Sequence, residues 1–111
     1  MNIDKTLVTT LFELPGYSIV KNLDVTRGIS VRSLRVGETF AASWQTMWGG
    51  RLPQYIELCE STREEAFVLL VKHAEELGAN AIIGMRYDAN EILPGITEVL
   101  AYGTAVIVEK K

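Results

Sequence analysis

The chain has 111 residues, 48% of them hydrophobic, with 11 Lys+Arg against 14 Asp+Glu and a formal net charge of −3. That length suits a single domain, expected over residues 1–111 and burying about two thirds of its unfolded surface. The scattered bases and acidic balance do not suit a surface that must neutralise a run of phosphates, so no nucleic-acid partner is expected. No stretch reaches the ~18 apolar residues of a membrane span, and Met1-Asn2-Ile3-Asp4-Lys5 lacks the basic-then-apolar order of a signal peptide. A cytoplasmic location, with no membrane partner, is the expectation. The lone cysteine, Cys59, excludes an intrachain disulfide.

Taken in chain order, Leu7 to Phe12 and Tyr17 to Leu23 read as two strands joined in a hairpin at Leu14-Pro15-Gly16, where Pro fixes φ and Gly accepts a positive one. Asp24-Val25-Thr26-Arg27-Gly28 reads as a turn into a third strand, Ile29 to Leu34, whose alternation places Arg32 opposite Val31. From Thr39 to Trp48 the spacing of Phe40, Trp44 and Met47/Trp48 predicts a short helix that Thr39 caps and Gly49-Gly50 ends. Pro53 opens a long helix carrying the stripe Tyr55, Cys59, Thr62, Ala66, Leu69/Leu70, His73/Ala74 and Leu77, which Gly78 stops. Ser61-Thr62-Arg63-Glu64-Glu65 resembles a capping box, so a second helix starting there competes with one continuous helix, which the unbroken stripe favours. Phe67 and Val71 widen the apolar arc beyond that stripe.

Two strands follow, Ala81 to Tyr87 and Val99 to Val108, with Ala89 to Ile96 as the loop between them. Gly84 and Gly103 mark a bulge or a close backbone approach, for which packing against the helix is the expected reason. Both late strands are apolar or small at nearly every position, so both sheet faces should leave water. One long helix covers one face. The other calls for a partner absent from the chain, and a second copy is the simplest occupant. The expected class is α+β, a mostly antiparallel sheet packed on one long helix, in an oligomer.

The side chains that could carry chemistry are few. Cys59 and His73, the only residues of their types, stand fourteen apart on one helix, about 21 Å, far beyond a shared ion. Only copies brought together by symmetry could make them a metal site; otherwise Cys59 reads as a small buried apolar residue and His73 as a locally satisfied one. The glutamates of the long helix fall mostly on its polar side. Gly49-Gly50-Arg51 is too short for a phosphate loop. Arg86 and Asp88, two apart near a strand end, share a face and read as a surface or intersubunit ion pair or as part of a ligand site. Arg32, Arg86, Asp88, Glu98 and Tyr102 are the candidate ligand-binding residues, polar groups at strand ends that could converge on a small anion between subunits. No catalytic residue and no cofactor is predicted, and a binding or structural role is favoured over an enzyme.

The segments Gly28-Ile29-Ser30-Val31-Arg32-Ser33, Gly49-Gly50-Arg51-Leu52-Pro53-Gln54-Tyr55, Leu77-Gly78-Ala79-Asn80-Ala81-Ile82-Ile83-Gly84-Met85-Arg86-Tyr87-Asp88 and Ala101-Tyr102-Gly103-Thr104-Ala105-Val106 resemble, in order and spacing, the YbjQ-like family, also called UPF0145 or DUF74. The likeness runs over nearly the whole chain, and the last two motifs together are specific. The resemblance implies a dodecin-like α+β subunit assembled as a homopentamer, in a family with no assigned biochemical function and a heavy-metal-binding label. That label is the sole pointer to a metal. The chain carries no CxxC and no His cluster, Cys59 stands where many members have a leucine-like residue, and Arg51 replaces an acidic one.

Overall fold

The computed structural model describes residues 3–33 and 53–111. After a 3-10 turn at Lys5–Leu7, strand β1 (Tyr17–Ser33), helix α1 (Pro53–Glu76) and strands β2 (Ala81–Leu93) and β3 (Ile96–Lys110) form an α+β fold, with one antiparallel sheet in the order β1-β3-β2. The C-terminal strand is therefore central. The short helix expected over Thr39–Trp48, with Phe40, Trp44, Trp48 and Arg51, lies outside the described residues.

α1 is continuous through Thr62, whose hydroxyl donates back to the Leu58 carbonyl at 2.6 Å instead of capping a new helix. Its buried stripe is Thr62, Ala66, Leu70 and Ala74, spaced by four; Phe67 and Val71 pack partly buried against the same core. Gly78 adopts φ +88° and ends the helix in a Schellman motif. The Ala79 amide donates to Ala74 O and the Gly78 amide to Glu75 O. Asn80 then starts the ladder with its side chain, donating to Val108 O at 2.9 Å and accepting from Val108 N at 2.8 Å.

The helix lies close to the sheet because the facing residues are small: Gly28 on β1, and Ala101 and Ala105 on β3. A Cβ at Gly28 would fall 2.5 Å from Leu70 N and nearer still to Ala66 O. Beside it, the Thr26 hydroxyl donates to Leu70 O at 2.9 Å. Leu70, wholly buried, supplies about 2 kcal/mol of apolar burial. Gly28 is therefore the helix contact, whereas Gly84 and Gly103 meet other neighbours. Gly84 sits in a bulge of β2 against the Phe12 ring, and Gly103 faces the backbone and Ile82 of β2.

Several local expectations are corrected. Residues 17–33 make one strand, since Asp24 lies beside a bulge and Gly28 inside a paired segment, so neither turns the chain. Leu7 to Phe12 does not pair with β1: Val8 bridges Ile82 in parallel, and further bonds join Thr9 to Ile82 and Met85 and Leu11 to Gly84 along the β2 edge. The turn at Leu14-Pro15-Gly16 is real, closed by Tyr17 N to Leu14 O at 3.0 Å, but it carries the chain from the β2 edge to β1. The loop of Ala89 to Ile96 shrinks to Pro94-Gly95, because β2 stays paired with β3 as far as Leu93.

Candidate functional site

Strand register sorts the polar candidates by face. On the side away from α1, three rows cross the sheet: Arg27, Tyr102 and Arg86; then Ile29, Leu100 and Asp88; then Val31, Glu98 and Asn90. Arg86, Asp88, Glu98 and Tyr102 thus share one surface, with two guanidinium groups flanking Tyr102 at one end and Asp88 and Glu98 towards the other. Arg32 is separated from them. It lies on the helix side, opposite Thr97, and pairs with Glu65 of α1.

The face is apolar between its charges. Val25 is 62% and Val31 53% exposed, and Ile29 and Tyr102 are also open. Beyond Arg86 and Tyr102 the face is closed by the N-terminal segment, where Leu14 packs with Ala81, Val106 and Val108, and Leu7 and Tyr17 add partial cover. Arg27, Ile29 and Leu100 were missed as members of this surface. The two-residue period of the expected strands carries Ile29 and Leu100, and Arg27 joins them because Asp24 to Gly28 is strand instead of the expected turn.

Arg86 has a local duty. Its Nη1 donates to Thr10 O at 2.7 Å and to Met85 O at 2.8 Å, and its guanidinium stands 5.4 Å from the centre of the Phe12 ring. It clamps the N-terminal segment onto β2. Among the described residues it forms no ion pair with Asp88, whose closest polar partner is Asn90 at 3.5 Å. On the helix side Tyr87 is held above its usual pKa, first by partial burial and then by Glu64, with Arg63 opposing and Glu60 adding to the rise.

The donor set of the described residues does not fit a heavy metal within one copy of the chain. Among the described residues no group of three or more His, Cys, Asp or Glu side chains gathers. His73 directs Nδ1 at the Arg27 carbonyl, 2.6 Å away across to β1. Cys59 is exposed instead of buried, on the wall of a cavity of about 150 Å³ between α1 and the sheet. The charged residues of that wall, among those described, are Arg32 and Arg63, which repel a cation. No helix among the described residues is long and apolar enough to cross a membrane.

A three-stranded antiparallel sheet under one long helix is a fold shared with a solved structure, a protein with unknown function of the DUF74 family from Pediococcus pentosaceus ATCC 25745. The match has a TM-score of 0.67 at 22% identity and covers 96% of this chain and 100% of that one. A family model described as "Putative heavy-metal-binding" matches residues 6–109. A UPF0145 protein of Solibacter usitatus is 55% identical over 101 residues, 91% of this chain and 90% of that protein, and one of Burkholderia thailandensis is 53% identical over 103 residues, 93% of each. The chain belongs to the YbjQ-like, UPF0145 family.

Proposed function

We propose that the protein is a single-domain, homo-oligomeric module of the cytoplasm, a pentamer, that acts by binding or scaffolding and not by catalysis. The observation that carries this is the open sheet face. α1 covers one side, the N-terminal segment covers one end of the other, and Val25, Ile29, Val31 and Tyr102 remain in water. A contiguous apolar patch with charged margins is a surface for another protein, and its charges suit self-recognition. Arg27 and Arg86 lie at one end while Asp88 and Glu98 lie towards the other, so the rim offers both signs of charge to a neighbouring copy.

Native mass spectrometry of untagged protein tests this directly. A pentamer supports the reading, and a monomer at micromolar concentration overturns it. Ile29→Asp should dissociate the assembly, whereas Val68→Asp, at an exposed position of α1, should not.

A second reading follows from the same face. Because Arg86, Asp88, Glu98 and Tyr102 share it, an interface there encloses polar groups able to hold a small anion between subunits, a stoichiometric adduct that the same spectrum would reveal. Metal enters only if assembly joins Cys59 and His73 of different copies, and unchanged metal content in Cys59→Ala would remove the thiol from that account.

A further inference from the structure

We infer that the cavity between the first half of α1 and the sheet is a binding site for a small monocarboxylate with a compact apolar body, aryl or branched alkyl. Its described lining comes from one protomer, on the side of the sheet opposite the self-association face, so it stands or falls apart from the oligomer reading. Leu58, Cys59, Thr62 and Arg63 supply one wall, at spacings that share a helix face. Thr97, Val99 and Ala89 supply the other from adjacent strands, Arg32 enters from β1, and the Gly95 turn adjoins them.

Size, lining and charge each narrow the ligand. About 150 Å³ of a groove that is partly open to solvent is room for one benzene-sized body. Leu58, Val99, Ala89 and the Thr62 methyl suit such a body. Among the described residues the charges on the wall are two guanidinium groups, the side chains best shaped to take a carboxylate through paired N–H donors. Glu65 steadies Arg32 from outside the wall, while Arg63 forms no ion pair among the described residues.

A buried polar atom lies next to this wall. Ser30 Oγ is the buried side-chain oxygen that lacks a hydrogen-bond partner among the described residues. Its residue is paired with Val99 and stands two positions inward from Arg32. An unpartnered buried hydroxyl is costly, but Ser30 is not one of the lining residues, so recognition of the ligand falls to the wall itself. The chemistry is opposite in sign to a heavy-metal site. Cys59 serves here as a wall residue and reporter, with no covalent step.

Benzoate is the probe, and the rate of Cys59 alkylation by iodoacetamide is the readout, because Cys59 is the chain's single thiol and lies on the cavity wall. At fixed ionic strength benzoate should slow alkylation saturably, and benzyl alcohol at the same concentration should not. Arg63→Ala should weaken the protection by about fivefold or more, with Arg63→Lys intermediate, and Arg63→Gln serves if the alanine variant does not fold. In a benzoate titration the amides of Ala89, Thr97 and Val99 should shift with the same midpoint. Absence of protection in the parent protein, equal protection by benzyl alcohol, or undiminished protection without Arg63 would each overturn the inference.

Discussion

Gly28→Ala puts the helix–sheet contact under direct strain. The new methyl would meet Leu70 N at 2.5 Å and Leu69 Cβ at 2.8 Å, with Ala66 O closer still. Two of those three atoms are backbone, so rotating a side chain cannot relieve the clash. α1 and β1 must separate by more than half an ångström to restore even a tight 3.0 Å contact. Overpacking of this kind costs about 1–3 kcal/mol. The same displacement stretches the 2.9 Å bond from Thr26 to Leu70 O towards the limit of hydrogen bonding, and a buried hydroxyl that loses its partner adds about 1–3 kcal/mol. The expected loss is about 3 kcal/mol in urea unfolding at fixed protein concentration, or roughly 12 °C in Tm for a domain near this size. Gly95→Ala is the control, since nothing lies within 4 Å of its Cβ position and only its φ of +77° resists a side chain, for about 1–2 kcal/mol. A Gly28→Ala protein within about 0.5 kcal/mol of the parent, or no worse than the Gly95 variant, would refute the close-approach account.

Arg86→Ala should free the N-terminal segment without melting the sheet: amide exchange at Thr9, Gly84 and Met85, whose bonds join the two, should accelerate by about tenfold, while β1–β3 amides stay protected. Asn80→Ala removes both side-chain bonds to Val108 and should cost about 2 kcal/mol in chemical unfolding; a neutral result would mean that water replaces them. Tyr87, with a folded pKa raised above 10.0, keeps its proton to higher pH in the folded state than in the unfolded chain. The folded state therefore binds more protons above pH 10, and stability that is complete below that pH falls as pH rises through the folded value. Tyr87→Phe should flatten this alkaline decline, and a denaturation series showing the same slope in both proteins would exclude Tyr87 as its source.

The long elements were legible because periodicity and punctuation agreed. α1 showed both its four-residue stripe and its Pro53 and Gly78 ends, and the late strands showed continuous small apolar sequence. The failures came where one residue type serves two physical ends. Gly28 looked like a turn residue, yet it removes a Cβ that would strike the Ala66 carbonyl, and only the tertiary contact reveals which. Pro15-Gly16 did turn the chain, but a turn does not name its strands' partners, and β3 lies some eighty residues away. Cys59 fell on the apolar stripe and was read as buried; it lines a cavity because the sheet facing it presents Ala89, Gly95 and Thr97, too small to fill the gap. Of the candidate ligand residues, alternation grouped Arg86 with Asp88 and set Arg32 apart from Val31. It could not place Glu98 and Tyr102 across from them, which required the register.

The strand that every other strand needs is the last one made. β1 and β2 both pair with β3 and not with each other, so until residues 96–110 have left the ribosome the first half of the sheet has no partner, and the apolar side of α1 faces no finished surface. β2 and β3 meet across a two-residue turn and can form at once. Pairing β1 with β3 closes a large sequence separation, the kind of contact that slows folding. During synthesis Val25, Ile29 and Val31 wait on an unpaired strand, exposed to chance partners for as long as translation of the remaining chain takes.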